Sequence, residues 1–373
     1  MTEVAARGGT RRTYIDWLRG AAVWCMVLWH VIDAWHVPTG RSTATFSAIV
    51  FFAGWAAPLF LFLAGVSLPM AGEAQLLRGR PRADVVRALV RRGWIVFLLA
   101  HLFRFQSFLL SPGAAWNGLL KPDILNVLGL GMVFAALAWG RADCARRRIW
   151  WLLVPAVVIA FVITPWAREW WWPSLLHPRL EGYIRLSGGN AVFSLFPAVA
   201  YVFAGTYVGS AMAVAGTPGE RAVLLRMAAV GGVMLATTMG LSFVALPAPV
   251  HAWTAQGVIV VLRVGAMLLA LGVVGRLLLL FPASSSNPMI VLGRASLVVY
   301  WVHVELAYGN VSYPLHRQLT LPYAFGGFLM MMAAMYVLAR WWLLRDPCRE
   351  LIPNHMRASF EPVAASRGPV CAG

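Results

Sequence analysis

Lysine is nearly missing from this chain: Lys121 is the only one among 31 basic residues. Acidic residues are scarce as well, 14 in 373 residues, and charge of either sign makes up only 12 % of the sequence. Soluble domains carry roughly 25 % charged residues, so a surface bathed in water on all sides is excluded. The four cysteines, Cys25, Cys144, Cys348 and Cys371, show no metal-ligand spacing, which argues against a metal centre and leaves free thiols as the expectation. No internal repeat is visible, so an inverted-repeat transporter gains no support.

What is abundant is apolar sequence. The chain is 60 % apolar with a mean hydropathy of +0.71, the composition of an all-α, polytopic membrane protein. A span needs about 20 apolar residues, and ten such stretches can be placed: 15–37, 46–71, 93–110, 124–140, 149–166, 191–213, 224–246, 258–281, 295–309 and 323–344. The N-terminal lead is basic, as in a signal peptide. No small-residue cleavage site follows its apolar run, and Asp33 and His36 interrupt it, so it reads as an uncleaved first span.

The net charge of +17 raises nucleic acid as a partner. The arginines, however, lie in short loops between apolar runs, which sets membrane orientation and is not a nucleic-acid stripe. Arg78 to Arg92, Arg141 to Arg148 and Arg345 to Arg367 crowd one side; Arg41, Lys121, Arg168, Arg179, Arg185 and Arg317 are thinly spread on the other. The heavy side is expected to be cytoplasmic, with both termini there. Residues 1–14 then form a cytoplasmic tail, 15–344 the transmembrane domain, and 345–373 an Arg-rich tail expected to be poorly ordered. The basic stretch 73–92 reads as an interfacial helix on anionic lipid. Trp170, Trp171 and Trp172 read as a headgroup belt, with a lid over a site as the alternative.

Ionisable groups inside apolar runs cost about 2.5–3.5 kcal/mol each on insertion scales, and they normally face a protein interior or a wet cavity. The first span carries Asp16, Arg19, His30, Asp33 and His36. Arg19 and His30 are eleven residues apart, which on an α-helix puts them within about 20° of one face and about 16 Å apart along it. In the given orientation Arg19 lies near the cytoplasmic mouth, with Arg91, Arg92 and Arg294 at the same side. His30, Asp33 and His36 share the outer half with His101, Arg104, Asp123, Asn126, Arg263, His303 and Glu305 from four other spans. A shared depth suggests that these groups meet. Asp33, one turn above His30, is placed to fix its tautomer. His303 and Glu305, two apart on a helix, should diverge.

These residues also carry a resemblance. Ile15-Asp16-Trp17-Leu18-Arg19-Gly20 running to His30, then Pro58 to Ser67, Asp123 to Gly129, Ser194 to Gly205 and Leu292 to His303, resemble the transmembrane acyltransferases related to heparan-α-glucosaminide N-acetyltransferase, and more distantly acyltransferase family 3. The resemblance implies transfer of an acyl group, usually acetyl, from cytosolic acyl-CoA to an acceptor across the membrane, with the family's basic residue on Arg19 and its histidine on His30. The lysosomal enzymes carry their histidine slightly later, where this chain has His36, so both imidazoles stay candidates.

The expected enzyme is therefore a membrane-bound, acyl-CoA-dependent O- or N-acyltransferase of the bacterial inner membrane, with acetyl-CoA as co-substrate and no metal. Arg19, Arg91, Arg92 and Arg294 would take the CoA phosphates. His30 or His36 would act as base or nucleophile, with Asp33 or Glu305 orienting it and Arg263 or His303 stabilising the oxyanion. His101, Arg104, Asp123, Asn126 and Arg263 would meet a saccharide or lipid-linked acceptor. Membrane lipid is the other expected partner, nucleic acid is not one, and a homo-oligomer is allowed. The alternative is a proton-coupled transporter or flippase using the same layer as a relay; an inactive scaffold of this fold is the bland third.

Overall fold

The computed structural model describes residues 12–110, 116–186, 193–241, 243–244 and 247–345. Helices account for nearly all of them, and no strand occurs among the described residues. Seven are long and apolar enough to cross a membrane, and a bent pair makes an eighth. The chain is an integral membrane protein with a helical bundle fold.

The first span is α1, Thr13–Trp35. Its start is tied down where Glu220 accepts hydrogen bonds from Arg12 Nε and the Tyr14 hydroxyl, each at 2.5 Å. The second expected span is divided into α2, Ala44–Ala53, and α3, Ala56–Leu76. Next comes α4, Arg82–Leu110, a single helix of 29 residues. It corrects the expected interfacial helix over 73–92: Gly79, at φ +77°, and Pro81 make a turn, and nothing after Arg82 breaks the helix before the membrane. On α4, Leu98, Leu102, Phe105 and Leu109 are all about half or more exposed and recur every three or four residues. His101 and Arg104 turn inward from them. Apolar outside and polar inside is the pattern a lipid environment demands.

Helix α5, Ile124–Arg141, is capped by Asp123 in a capping box with Asn126. The next span, Ala145–Glu169, is assembled from α6 (Ala145–Arg148), α7 (Val154–Val158) and α8 (Thr164–Glu169), joined by π-helical turns. Pro165 has no N–H for the carbonyl of Phe161, and Trp253 Nε1 supplies a donor to it at 3.0 Å. A short α9 follows, Pro178–Ile184. The sixth and seventh expected spans fall in one helical run, α10, Leu195–Leu241, broken at Gly216 where φ is +59°. Then come α11, Ala248–Leu280, and α12, Pro288–Arg294, which meets α13, Ser296–Tyr308, at 89°. The last helix is α14, Leu321–Leu344.

Helix α12 was not expected, and it sets the position of everything around α1. A Cβ on Gly20 would stand 1.9 Å from Met289 O, and one on Gly293 would stand 1.8 Å from Asp16 O. The two backbones touch because both positions lack a side chain. After the bend, α13 climbs alongside α1 and brings its own histidine to the level of His30. Cys25 is a free thiol. Cys144 is disulfide-bonded, which corrects the free thiol expected there; sequence spacing carries no information on such a pairing. Cys348 and Cys371, with the rest of the C-terminal tail, lie outside the described residues.

Candidate active site

His30 lies on the face of α1 turned toward α13, and its Nδ1 is 2.8 Å from Nε2 of His303. The rings stack with centroids 5.0 Å apart and planes 19° from parallel. His303 is fully buried, and its Nδ1 is 2.6 Å from the carbonyl oxygen of Val299. A carbonyl can only accept, so His303 carries its proton on Nδ1 and offers a lone pair on Nε2. The proton between the two rings therefore belongs to His30 Nδ1. The remaining nitrogen, Nε2 of His30, is left as a lone-pair acceptor without a hydrogen-bond partner among the described residues. This is the tautomer a general base needs.

Asp33 does not orient His30. Its Oδ1 accepts from Arg41 Nη1 at 3.1 Å and its Oδ2 from the Tyr308 hydroxyl at 2.9 Å. The ring of Tyr308 in turn stands edge-on to His30, 5.7 Å between centroids. The expectation for Asp33 fails because a better-charged partner, Arg41, folds back across the end of α1 to claim it. Glu305 is turned away as well, accepting from Ser107 Oγ at 2.5 Å, as its spacing from His303 implied. His303, expected as an oxyanion donor, is instead the group whose Nε2 accepts from His30.

His36 sits beyond the end of α1, 2 % exposed, with Nδ1 3.1 Å from Leu319 O and its ring against Phe46. It bonds neither His30 nor His303. The polar layer continues from His303 through Tyr300, one turn earlier on α13, whose hydroxyl donates to Asp123 Oδ2 at 2.8 Å. The same oxygen is 3.3 Å from Arg104 Nη2. Asn126 Nδ2 lies 3.1 Å from His101 Nδ1. Groups from α1, α4, α5 and α13 thus do meet. Tyr183 of α9 covers this end of the layer; burial pushes its phenol up to about 12, the Asp123 carboxylate adds to the rise and the Arg104 guanidinium opposes it.

Arg263 is not part of that layer. It lines a separate cavity with α3, α8, α9 and α10, so its expected place beside His30 is corrected. At the other end of α1, Arg19 Nη1 is paired with Asp16 at 3.0 Å, and Nη2 donates to Ser67 Oγ on α3. Arg294 closes α12 at the bend, beside Gly293 and so at the level of Asp16 and Gly20. Its Nε is buried without a partner among the described residues. Arg91 and Arg92 are exposed on α4.

Sequence reasoning missed Tyr300, Tyr308, Arg41 and Ser67. For Tyr300 the signal was present: Tyr300, His303 and Ala307 recur every three or four residues, the period of one buried helix face. Arg41 and Tyr308 had no local signal, since both reach Asp33 across breaks in the helices. A family model described as an acyltransferase domain, of the acyltransferase 3 family, matches residues 12–340. It is the more distant of the two resemblances drawn from the sequence. No curated protein matches the chain.

Proposed function

The chain belongs to the acyltransferase 3 family, and from that premise we propose that it moves an acyl group, acetyl first among candidates, from cytosolic acyl-CoA to a hydroxyl or amine of an extracytoplasmic glycan, glycolipid or similar acceptor. The observation that carries this reading is the His30–His303 bond, which presents one unpaired imidazole nitrogen beside a membrane-buried polar layer.

The Arg-rich side is taken as cytoplasmic, with the protein in the bacterial inner membrane. Arg19 and Arg294 then stand at the inner mouth, where CoA phosphates arrive, and Arg91 and Arg92 add positive potential on α4. From Arg19 to His30 is about 16 Å along the helix, of the order of an extended pantetheine arm. The thioester carbon reaches His30 while the nucleotide stays inside. The acceptor X–H gives its proton to His30 Nε2 as X attacks the thioester carbonyl. The tetrahedral intermediate collapses by breaking the C–S bond, and the CoA thiolate leaves with the proton returned from His30. His303 holds the ring and accepts the hydrogen bond of the transient imidazolium. Arg104, Asp123, Asn126 and His101 sit where an acceptor's polar groups would lie.

A proton relay for a transporter is served less well by the same atoms. The chain from His30 passes to His303 and ends at the Val299 carbonyl, which cannot hand a proton on. Mass spectrometry of cell-envelope glycans and lipids, from cells with and without this chain, tests the proposal. A class of molecules should lose a mass of one acyl group when the chain is removed. An unchanged acylation profile, with purified protein that releases no CoA from acetyl-CoA, would contradict it.

A further inference from the structure

The cavity holding Arg263 has a volume of ≈ 510 Å³ and lies between α3, α8, α9, α10 and α11. Neither His30 nor His303 lines it. The volume suits a small ligand or a headgroup.

Arg263 projects from the apolar stretch Trp253–Leu280, and no carboxylate pairs with it among the described residues. A guanidinium at that depth must meet a counter-charge or water. Tyr201 lines the same cavity at 3 % exposure, and its hydroxyl makes no hydrogen bond among the described residues. The Arg263 guanidinium stands beside that hydroxyl; it can only donate, so the hydroxyl's own proton is left without an acceptor. A cation without an anion and a buried donor without an acceptor therefore face one space. Each lacks what an anionic oxygen would provide.

Arg168 and Arg185 add fixed positive charge to the lining. Arg185 is held by Glu181 at 2.8 Å and by the carbonyls of Arg168, at 3.1 Å, and Trp170. Arg168 itself is exposed at the rim. Three guanidinium groups against one carboxylate leave the walls net cationic. Between the charges the lining is largely apolar, with Leu61, Phe193, Phe196 and Pro197, alongside the polar Thr164, Ser194 and Gln256.

We propose that this cavity binds a phosphate-bearing amphiphile, its phosphate on Arg263 and the Tyr201 hydroxyl and its apolar part along Leu61, Phe193 and Phe196. A phosphate offers several oxygens to a planar guanidinium and a hydroxyl at once. The inference goes beyond the acyl-transfer reading and needs neither His30 nor an acyl donor.

The test titrates dihexanoylphosphatidic acid into the full-length protein in a non-ionic detergent, following its tryptophan fluorescence. Dihexanoylglycerol, the same lipid without phosphate, and inorganic phosphate form the other two arms. Saturable binding of the phosphatidic acid is expected, with Kd raised tenfold or more in Arg263→Gln and several-fold in Tyr201→Phe. Arg263→Lys should recover part of the affinity, which separates loss of the ion pair from misfolding. His30→Ala should bind as the unaltered chain does. Inorganic phosphate competing at similar concentration would support the phosphate site and assign it to a soluble ester. Equal affinity for dihexanoylglycerol, or unaltered binding in both Arg263→Gln and Tyr201→Phe, would overturn the proposal.

Discussion

His303 accepts a hydrogen bond from His30 across 2.8 Å and can do so only because its own proton is committed to the carbonyl of Val299. In the proposed mechanism the pair serves as a base and its orienting acceptor, with a neutral imidazole in the place a carboxylate often fills. Losing the acceptor frees the His30 ring to rotate and to take the wrong tautomer. His303→Ala should lower kcat about 100-fold, within the range general-base catalysis supplies, with little change in KM for acyl-CoA. His303→Gln keeps an acceptor oxygen near the same place and should lose less. Steady-state release of CoA thiol from acetyl-CoA measures both.

Arg19 acts in binding and not in chemistry on this account. Removing one charge-assisted contact to a phosphate costs about 1.5–3 kcal/mol. Arg19→Ala should therefore weaken CoA binding by one to two orders of magnitude in calorimetry. Asp16→Asn frees the guanidinium from its present partner and should leave CoA affinity equal or tighter.

The contact between α1 and α12 has no room for a methyl group. A Cβ at Gly293 would lie 1.8 Å from a backbone oxygen, which no side-chain rotation relieves. Gly293→Ala should force the helices apart at a cost of about 1–3 kcal/mol, the usual range for overpacking. The readout is a lower Tm in detergent, together with weaker CoA binding if Arg294 moves with the helix.

Asp123 serves two partners with one oxygen, Tyr300 and Arg104. Asp123→Ala strands the guanidinium in a largely buried layer and should destabilise the fold by about 3 kcal/mol. Tyr300→Phe removes one hydrogen bond but leaves the ion pair, so about 1 kcal/mol is expected. Thermal unfolding of the two variants side by side checks the order.

Much of the architecture was legible because lipid imposes a strong rule, about 20 apolar residues per crossing, and the expected spans fall on helices, although 46–71 is divided between α2 and α3 and 191–213 and 224–246 share the run α10. The inward face of α1 followed from helical periodicity, and the divergence of His303 from Glu305 followed from their separation of two residues. Partners set by chain turns were illegible. Asp33 is taken by Arg41, across the break after Trp35, and by Tyr308, 275 residues on. The sharp bend between α12 and α13 leaves no periodic trace either, although it decides that His303 arrives beside His30. Arg263 was expected at the depth of the layer but lines a separate cavity, and depth alone cannot separate two sites in one bundle.

The assignment of the base is tested most directly by comparing two single variants of purified protein, His30→Ala and His36→Ala, for acetyl-CoA turnover. The account predicts a fall of about 10³-fold or more for His30→Ala, the scale of general-base loss. His36→Ala should keep most of its rate at temperatures where it remains folded, since that ring packs on Phe46 and bonds the Leu319 carbonyl away from the pair. Full activity in His30→Ala, or loss confined to folded His36→Ala, would contradict it.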